Sequence, residues 1–411
     1  MDRRIYWMWL TNLPNITPIK ITNLFDSFND IEEIYKTKDY AGVYGLTHED
    51  IVQLQDKSLD KVKSIIDRLK YINAGVLTYD DMTYPDMLRQ IDDPPYVLYI
   101  KGEIMQWDRL LTIAAVGTRR YNEYGHNVCN NICSGLAKAG VTIVSGMARG
   151  LDSVAAAAAL RAGAKTIAVL GCGLDIVYPP ENGQLMEAII RNGAVLSEYP
   201  PGVQPVGSHF PRRNRIISGM SYGTLVTQAP PKSGALITAN YALDSGKDVF
   251  AVPGNIYDVC SKGNNALIKS GAKLVECAQD ILEEYDFEIL HLKEPIDKKS
   301  EFENLKYAEE PAKEKKPKEN KSAEKKENKK REPVNNIIKI DINDDKYKNL
   351  NETEKKIIEL LIEDTWHIDE IVRKTGIPMS KLNSTLTILE MKNLIKQLPG
   401  KNFRLNIQNR L

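Results

Sequence analysis

Three arginines and an asparagine crowd the stretch SHFPRRNRIISG, Ser208 to Gly219: Arg212, Arg213, Asn214 and Arg215 follow Phe210 and Pro211. Proline suits the first turn of a helix, where a missing N–H costs little. Cations are unfavourable at a helix N-terminus, because the dipole there is already positive. A cluster set against the dipole points to an anionic partner, which backbone N–H groups at the same place would also face. The competing account pairs these arginines with carboxylates at a domain seam, and the stretch alone supports both. A second anion-binding candidate is PPKSGALITA, Pro230 to Ala239. Here a small-residue turn follows a strand and opens a helix, which sets Lys232, Ser233 and Thr238 ready for phosphate oxygens.

Motifs of common enzymes are mostly missing. There is no GxGxxG dinucleotide loop, no GxxxxGK[ST] phosphate loop, no GxSxG elbow and no HExxH. GCG at Gly171–Gly173 lacks the third glycine at its place, and His48, His126, His209, His291 and His367 are scattered. The five cysteines form no CxxC pair and no His/Cys ligand spacing, and Cys129 and Cys133, one helical turn apart, read as a buried face. No metal and no cofactor is therefore expected. The reading is a reduced, cytoplasmic protein. The Ala-rich run Val154–Leu160 is short and ends at Arg161, so no membrane span is expected. Trp7 and Trp9 stand near the start without an apolar signal-peptide region.

The elements that must position these residues can be read in order. A chain of 411 residues with zero net charge suggests two or three domains, and any basic surface must be local. Residues 1–75 show helical spacing, as in ITNLFDSF and DKVKSIIDRLKYI. Irregular text follows from about Val76 to Gly102; Pro94 and Pro95 forbid a central strand there, although VLYIKG fits a short one. Within 76–285, strands are expected at TIAAVG, VTIVSG, TIAVLG, AVLSE, TLVTQA, DVFAVPG and AKLVE. Helices are expected between them at Tyr124–Ala139, Leu151–Ala162, Asn182–Arg191, Asn214–Met220, Ala235–Asp244 and Asn264–Lys269. This alternation is that of an α/β, doubly wound parallel sheet. Gly117, Ser145–Gly146, Gly171 and Gly254 fall at strand ends, where open α/β sheets bind ligands, although each taken singly is also an ordinary βα turn. Residues 286–349 are dominated by Lys, Glu and Asn and read as a disordered, solvated linker. Residues 350–411 read helix, turn, helix, turn, helix and hairpin, with PGK at its tip. That is a winged helix whose recognition helix would be Met379–Lys392, though a protein-docking module has the same shape.

Taken together these segments resemble the DprA/Smf family of DNA-processing proteins. The likeness rests on VGTRRYNEYG, SGMARGLDSVA, TIAVLGCGLDIVYP, LSEYPPG, FPRRNRIISGMS, KSGALITA, VFAVPG and KGNNALIKSGA, in that order. It extends upstream through YPDMLRQIDDPPYVLYIKG and downstream to the winged helix. It implies an extended Rossmann-like core that binds single-stranded DNA without sequence preference. It further implies a homodimer that loads the RecA recombinase during natural transformation, with no catalysis. Gly117, Thr118 and Arg119 match the family's GSR loop with Thr in place of Ser; Phe210, Arg213, Asn214 and Arg215 match FPxRNR; Ser233, Gly234 and Thr238 match SGxxxTA. With Gly146 and Lys232 these residues are expected to line the DNA groove, arginines on phosphates and Phe210 stacking a base. The chain departs from the family at Ala156, where His is common, and at Gln228, where an acid is usual. LPNIT also lacks the hairpin glycines of helix-hairpin-helix modules. Two alternatives remain: a nucleotide phosphoribohydrolase of the lysine-decarboxylase-like fold, of whose PGGxGT loop PPKSGAL is a loose version, and a winged-helix transcription regulator.

Overall fold

The computed structural model describes residues 2–285, 302, 305–308, 350–363, 366–392, 394–398 and 402–405. The chain divides into two compact units, Met1–Pro317 and Lys318–Leu411. The first opens with five helices, Arg3–Thr11 (α1), Pro18–Ser27 (α2), Ile31–Lys36 (α3), His48–Gln55 (α4) and Asp60–Tyr71 (α5). Good caps set their starts: Asp2 accepts from the Arg4 N–H, and Thr47 and Asp50 close a reciprocal capping box on α4.

The break expected at residue 75 does not separate two independently packed bodies. Trp7 stacks between Phe25 and Tyr96, at 5.1 and 5.3 Å between ring centres, and its indole N–H donates to Asp80. Arg4 reaches both carboxylate oxygens of Asp81. The apolar cluster around Trp7, Leu10 and Leu24 runs on into Leu160, Leu185 and Val195 of the core.

Nine strands follow: Gly75–Thr78 (β1), Val97–Gly102 (β2), Thr112–Val116 (β3), Thr142–Ser145 (β4), Thr166–Leu170 (β5), Gly193–Ser197 (β6), Gly223–Val226 (β7), Asp248–Ala251 (β8) and Lys273–Leu274 (β9). The intervening helices are Asp86–Arg89 (α6), Glu123–Lys138 (α7), Leu151–Arg161 (α8), Gly183–Arg191 (α9), His209–Gly219 (α10), Gly234–Asp244 (α11) and Lys262–Lys269 (α12), with Gln279–Leu282 (α13) after β9. One sheet runs β1-β2-β6-β5-β4-β3-β7-β8-β9. Its members from β6 to β9 are parallel, and β2 and β1 extend it antiparallel. Strand β1 was not expected from the irregular text; GVLT forms an edge by pairing with VLYIKG beyond the prolines. Both faces are covered, as alternation requires. Ile113 and Ala115 pack with Leu136 of α7 and Val154 of α8, whereas Ala114 and Val116 pack with Ile216 of α10 and Ala239 of α11. From β3 the chain winds through β4 and β5 to one side, and after β6 it returns to the other side through β7, β8 and β9. The reversal beside β3 is a topological switch point, where such sheets open a crevice at their carboxyl ends.

Residues 302 and 305–308 correct the expectation of a solvated linker at those positions; the rest of 286–349 lies outside the described residues. Phe302 is buried with the Arg191 guanidinium over its ring, and Arg161 lies over the Tyr307 ring. The Ala308 N–H donates to Asn182 Oδ1, and its carbonyl accepts from the Gly150 N–H. A few apolar side chains in a charged composition suffice to seat this strap.

The second unit holds Glu352–Glu363 (α14), Trp366–His367 (β10), Ile368–Thr375 (α15), Met379–Met391 (α16), Ile395–Leu398 (β11) and Asn402–Leu405 (β12). Strands β10, β12 and β11 form a small antiparallel sheet. Ile357, Ile371, Leu382, Leu386, Leu389 and Phe403 form the core of a winged helix. The hairpin tip Pro399–Lys401 lies outside the described residues.

Candidate nucleic-acid interface

A cleft of about 800 Å³ opens at the carboxyl ends of β3 and β7, at the switch point. Its wall includes Gly117, Thr118, Arg119, Phe210, Arg213, Asn214, Lys232, Ser233, Gly234 and Thr238. These are all the expected groove residues except Gly146 and Arg215, and they come from three chain segments.

The β3–α7 turn supplies the first wall. The Thr118 N–H donates to Gln228 O, and Thr118 Oγ1 accepts from the Arg120 N–H, so the turn is bent and both Arg119 and Arg120 face outward. Gly117 is required here: a Cβ would lie 2.6 Å from Leu151 Cβ. The start of α11 supplies the opposite wall. Ser233 is the N-cap, and its hydroxyl accepts from the Ala235 N–H at 3.3 Å. That leaves the exposed Lys232 and the remaining positive end of an eleven-residue helix facing the cleft. The Asn214 amide donates to Gly234 O and ties this wall to α10.

Helix α10 begins at His209 instead of Asn214, because Pro211 in the first turn forfeits no intrahelical bond. The arginines therefore fall later than a helix start, and their side chains take different directions. Phe210 stacks on Tyr178 with 5.3 Å between ring centres, and the Arg119 guanidinium lies 5.8 Å from the Phe210 ring. Gly171 makes room for this stack, since a Cβ there would sit 3.1 Å from the Phe210 ring. His209 stacks on Tyr199 at 4.0 Å.

Arg213 lies under the cleft and is 4% exposed. It donates to the Gly146 and Val169 carbonyls at the ends of β4 and β5, and to Asn214 Oδ1. Most of its donors are spent inside the protein, which corrects the expectation that it reaches out to a phosphate. Burial pushes its pKa down to about 10, against the opposing pull of Asp152. Asp152 accepts from the Gly117 and Gly146 N–H groups at 3.3 and 3.2 Å. Burial raises its pKa, and Arg213 together with those two N–H groups pulls the other way. Gly146 belongs to this floor and not to the wall: a Cβ would lie 2.3 Å from Arg213 Nη2 and 2.7 Å from Asp152 Oδ2.

Arg215 is not in the cleft. Its side chain is 4% exposed, donating to Asp93 at 2.9 Å and to Glu198 at 2.7 Å. Burial alone would lower its pKa, and the two carboxylates raise it. Its assignment to the groove is corrected: it is the buried pair partner of the competing account, at the seam between α10 and the segment before β2.

Both departures from the family pattern have structural homes. Ala156 is fully buried on α8, one turn beyond Asp152, in the apolar cluster that holds Met147, Leu160 and Leu170. Gln228 Nε2 donates to Asn122 Oδ1 at 2.9 Å and to Asp258 Oδ2 at 3.3 Å; a carboxylate at 228 would instead face Asp258 as a like charge. Sequence reasoning did not name Asp152, Tyr178 or Arg120 as parts of the site. The available signal for Asp152 was its place two residues beyond Gly150, at the start of the helix after a strand end. For Tyr178 no pattern in the sequence foretold a stack with Phe210.

Among the described residues, no group of three or more His, Cys, Asp or Glu side chains is placed to hold a metal, and no helix is long and apolar enough to cross a membrane.

Fold and site thus define an open α/β protein whose switch-point cleft is lined by Arg119, Lys232 and the start of α11, in a chain that also carries a winged helix. Comparison with known proteins agrees. Residues 75–286 match the family described as DNA recombination-mediator protein A, and residues 344–401 match the DprA winged helix domain. Protein Smf of Synechocystis is 32% identical over 98% of this chain and 99% of its own. DNA processing protein DprA of Streptococcus pneumoniae is 36% identical over 69% of this chain and 98% of its own. The X-ray structure of DprA from that organism superposes with a TM-score of 0.61 at 35% identity, covering 69% of this chain and 98% of the other. The chain belongs to the DprA/Smf family.

Proposed function

We propose that this chain binds single-stranded DNA without sequence preference, shields it, and loads the RecA recombinase onto it during DNA uptake, acting as a homodimer and not as an enzyme. The observation that carries the binding step is the cleft itself. It joins the positive end of α11 and Lys232 on one wall to Arg119 on the other, with the Tyr178–Phe210 stack beside them. Phosphate contacts position a strand without reading it, and stacking tolerates any base. Asp152 is the one carboxylate among the described cleft residues, and its oxygens are engaged by Gly117 and Gly146, which argues against an acid or base at work there. Recombinase loading and dimerisation rest on the family alone.

The winged helix supports a docking role better than a regulatory one. The exposed positions described over the expected recognition helix include Met379, Lys381, Ser384, Thr387, Ile388, Glu390 and Lys392, a mixed surface with two basic residues, of which Lys392 is paired with Glu354. A reader of duplex DNA needs more positive charge.

The test is an anisotropy titration of the full chain with single-stranded and duplex DNA of several sequences at several salt concentrations. Tighter single-strand binding, insensitive to sequence and falling steeply with salt, is expected. Equal or tighter duplex binding at physiological salt refutes the reading.

A further inference from the structure

Beside the main cleft lies a second cavity of about 270 Å³, lined by Arg119, Arg120, Ala148, Arg149, Tyr178 and Pro179. Four of these residues, Arg119, Arg120, Ala148 and Tyr178, also line the main cleft, so the two spaces share a wall. Arg149 comes from the β4–α8 turn, a different segment from Arg119 and Arg120. That turn is held rigidly. Met147 has a positive φ of 51°, Ser153 Oγ donates to Ala148 O, and Asn182 Nδ2 donates to Met147 O. Three arginines from two turns thus line one small space, a concentration of positive charge that an anion would offset. Arg149 is ion-paired with Glu181, and both side chains are exposed, at 38% and 51%. Such a pair is cheap to exchange for another anion.

We propose that this three-arginine cavity is a second phosphate subsite, taking the backbone of the same strand where it leaves the main cleft past Tyr178. The inference rests on the single-strand reading above. On this path the strand runs from the α11 wall across Gly117–Arg119 and the Tyr178–Phe210 stack. It then enters the cavity, where its phosphate displaces Glu181 from Arg149. Arg119 and Arg120, on the shared wall, bridge the two seats. The outcome is a longer footprint that still reads no base.

The experiment uses the full chain with two homothymidine strands, one short enough to fill only the main cleft and one long enough to pass beyond it. Each is titrated over a range of salt with wild type, Arg119→Ala, Arg149→Gln and Glu181→Gln, with a melting curve for every variant. Arg149→Gln should lower the salt slope by about 0.7 on the long strand, the loss of one phosphate contact, and leave the short strand unaffected. Glu181→Gln, which removes the competing Glu181 charge beside Arg149, should tighten the long strand alone. If wild type binds and Arg119→Ala weakens binding, but both other variants match wild type on the long strand, the subsite is refuted and the main cleft stands. Equal losses on both strands from Arg149→Gln also refute it. If wild type binds neither strand, the underlying reading fails with it.

Discussion

The cleft and the seam beneath the other side of α10 are built from the same helix and the same residue type, yet they do opposite things with charge. At the seam, Arg215 meets Asp93 and Glu198 and is closed off from water. At the cleft, Arg119 stands exposed across from Lys232 and the start of α11, and the nearby carboxylate, Asp152, is occupied by backbone N–H groups. Arg213 lies between these extremes, buried like Arg215 but bonded to carbonyls at strand ends. What separates an arginine exposed at the cleft from one sealed in the seam is therefore the partner the fold brings to it. Asp93 stands over a hundred positions before Arg215, as the 122-residue spacing of their hydrogen bond shows.

The largest effect should come from the seam. Arg215→Ala leaves Asp93 without its cation and Glu198 with only the more distant Arg212, 3.6 Å away. Breaking a buried pair costs about 3–5 kcal/mol, and the partial exposure of Asp93 places this one near the lower end. A large fall in Tm with an unchanged salt slope of strand binding is the expected result. A normal Tm with a weaker, less salt-sensitive complex would move Arg215 back to the cleft and erase the contrast.

Next comes the floor that joins the two regions. Gly146→Ala drives a Cβ into Arg213 and Asp152, both fixed by several bonds, and such overpacking costs about 1–3 kcal/mol. Gly234→Ala is the control from the facing wall. Nothing lies within 4 Å of its Cβ position, so both stability and strand binding should persist. Equal losses in the two variants would show that the floor is not the rigid part.

The architecture was largely legible because it is written locally. Apolar runs of strand length alternate with helical ones, and glycine or small polar residues at Gly117, Ser145–Gly146 and Gly171 mark the turns where a crevice must form. The cleft was legible for a related reason: its walls are turns, and a turn's chemistry is carried by adjacent residues such as Lys232 and Ser233. The fate of the arginines was not, because FPRRNR does not say which carboxylates it will meet. Asp93 sits in DDPP, text that reads as irregular, and Glu198 sits just past a strand. Helix α10 starts at His209, earlier than the expected Asn214, because its first turn accommodates Pro211 without losing an intrahelical bond. Strap residues Phe302 and Tyr307 were hidden by averaging, since a window dominated by Lys and Glu conceals single anchors.

On the cleft side of the comparison, Arg119→Ala should spare the fold and injure the complex. Its side chain is exposed, so Tm should move by no more than a surface change does, within about 0.5 kcal/mol. The salt slope should fall by about 0.7, the share of one phosphate on a single strand. A drop in Tm as large as that of Arg215→Ala would mean that the two arginines belong to one class after all.

The most local expected effect concerns the strap, and it asks whether the cleft owes its rigidity to the core alone. Gly150 has a φ of 89° and packs against Thr118 O and the Arg119 backbone, so it underlies the arginine wall directly. Its N–H is bonded to Ala308 O at 3.3 Å, outside the sheet and its helices. Tyr307 holds that neighbour in place through Arg161, 5.3 Å from its ring centre, and its hydroxyl lies 3.5 Å from His126 Nε2. A cation–π contact of this kind is worth about 0.5–1 kcal/mol, so Tyr307→Ala should lower Tm only slightly. Hydrogen exchange should nevertheless quicken at the Gly150 amide. The Val154 amide, bonded to Gly150 O within the same turn, should keep its protection. Unchanged exchange at Gly150 would show that the turn is held by Asn182 and Ser153 without help from the strap. Faster exchange at both amides would show that the start of α8 opens as one piece, and the arginine wall would then depend on residues that lie beyond the core.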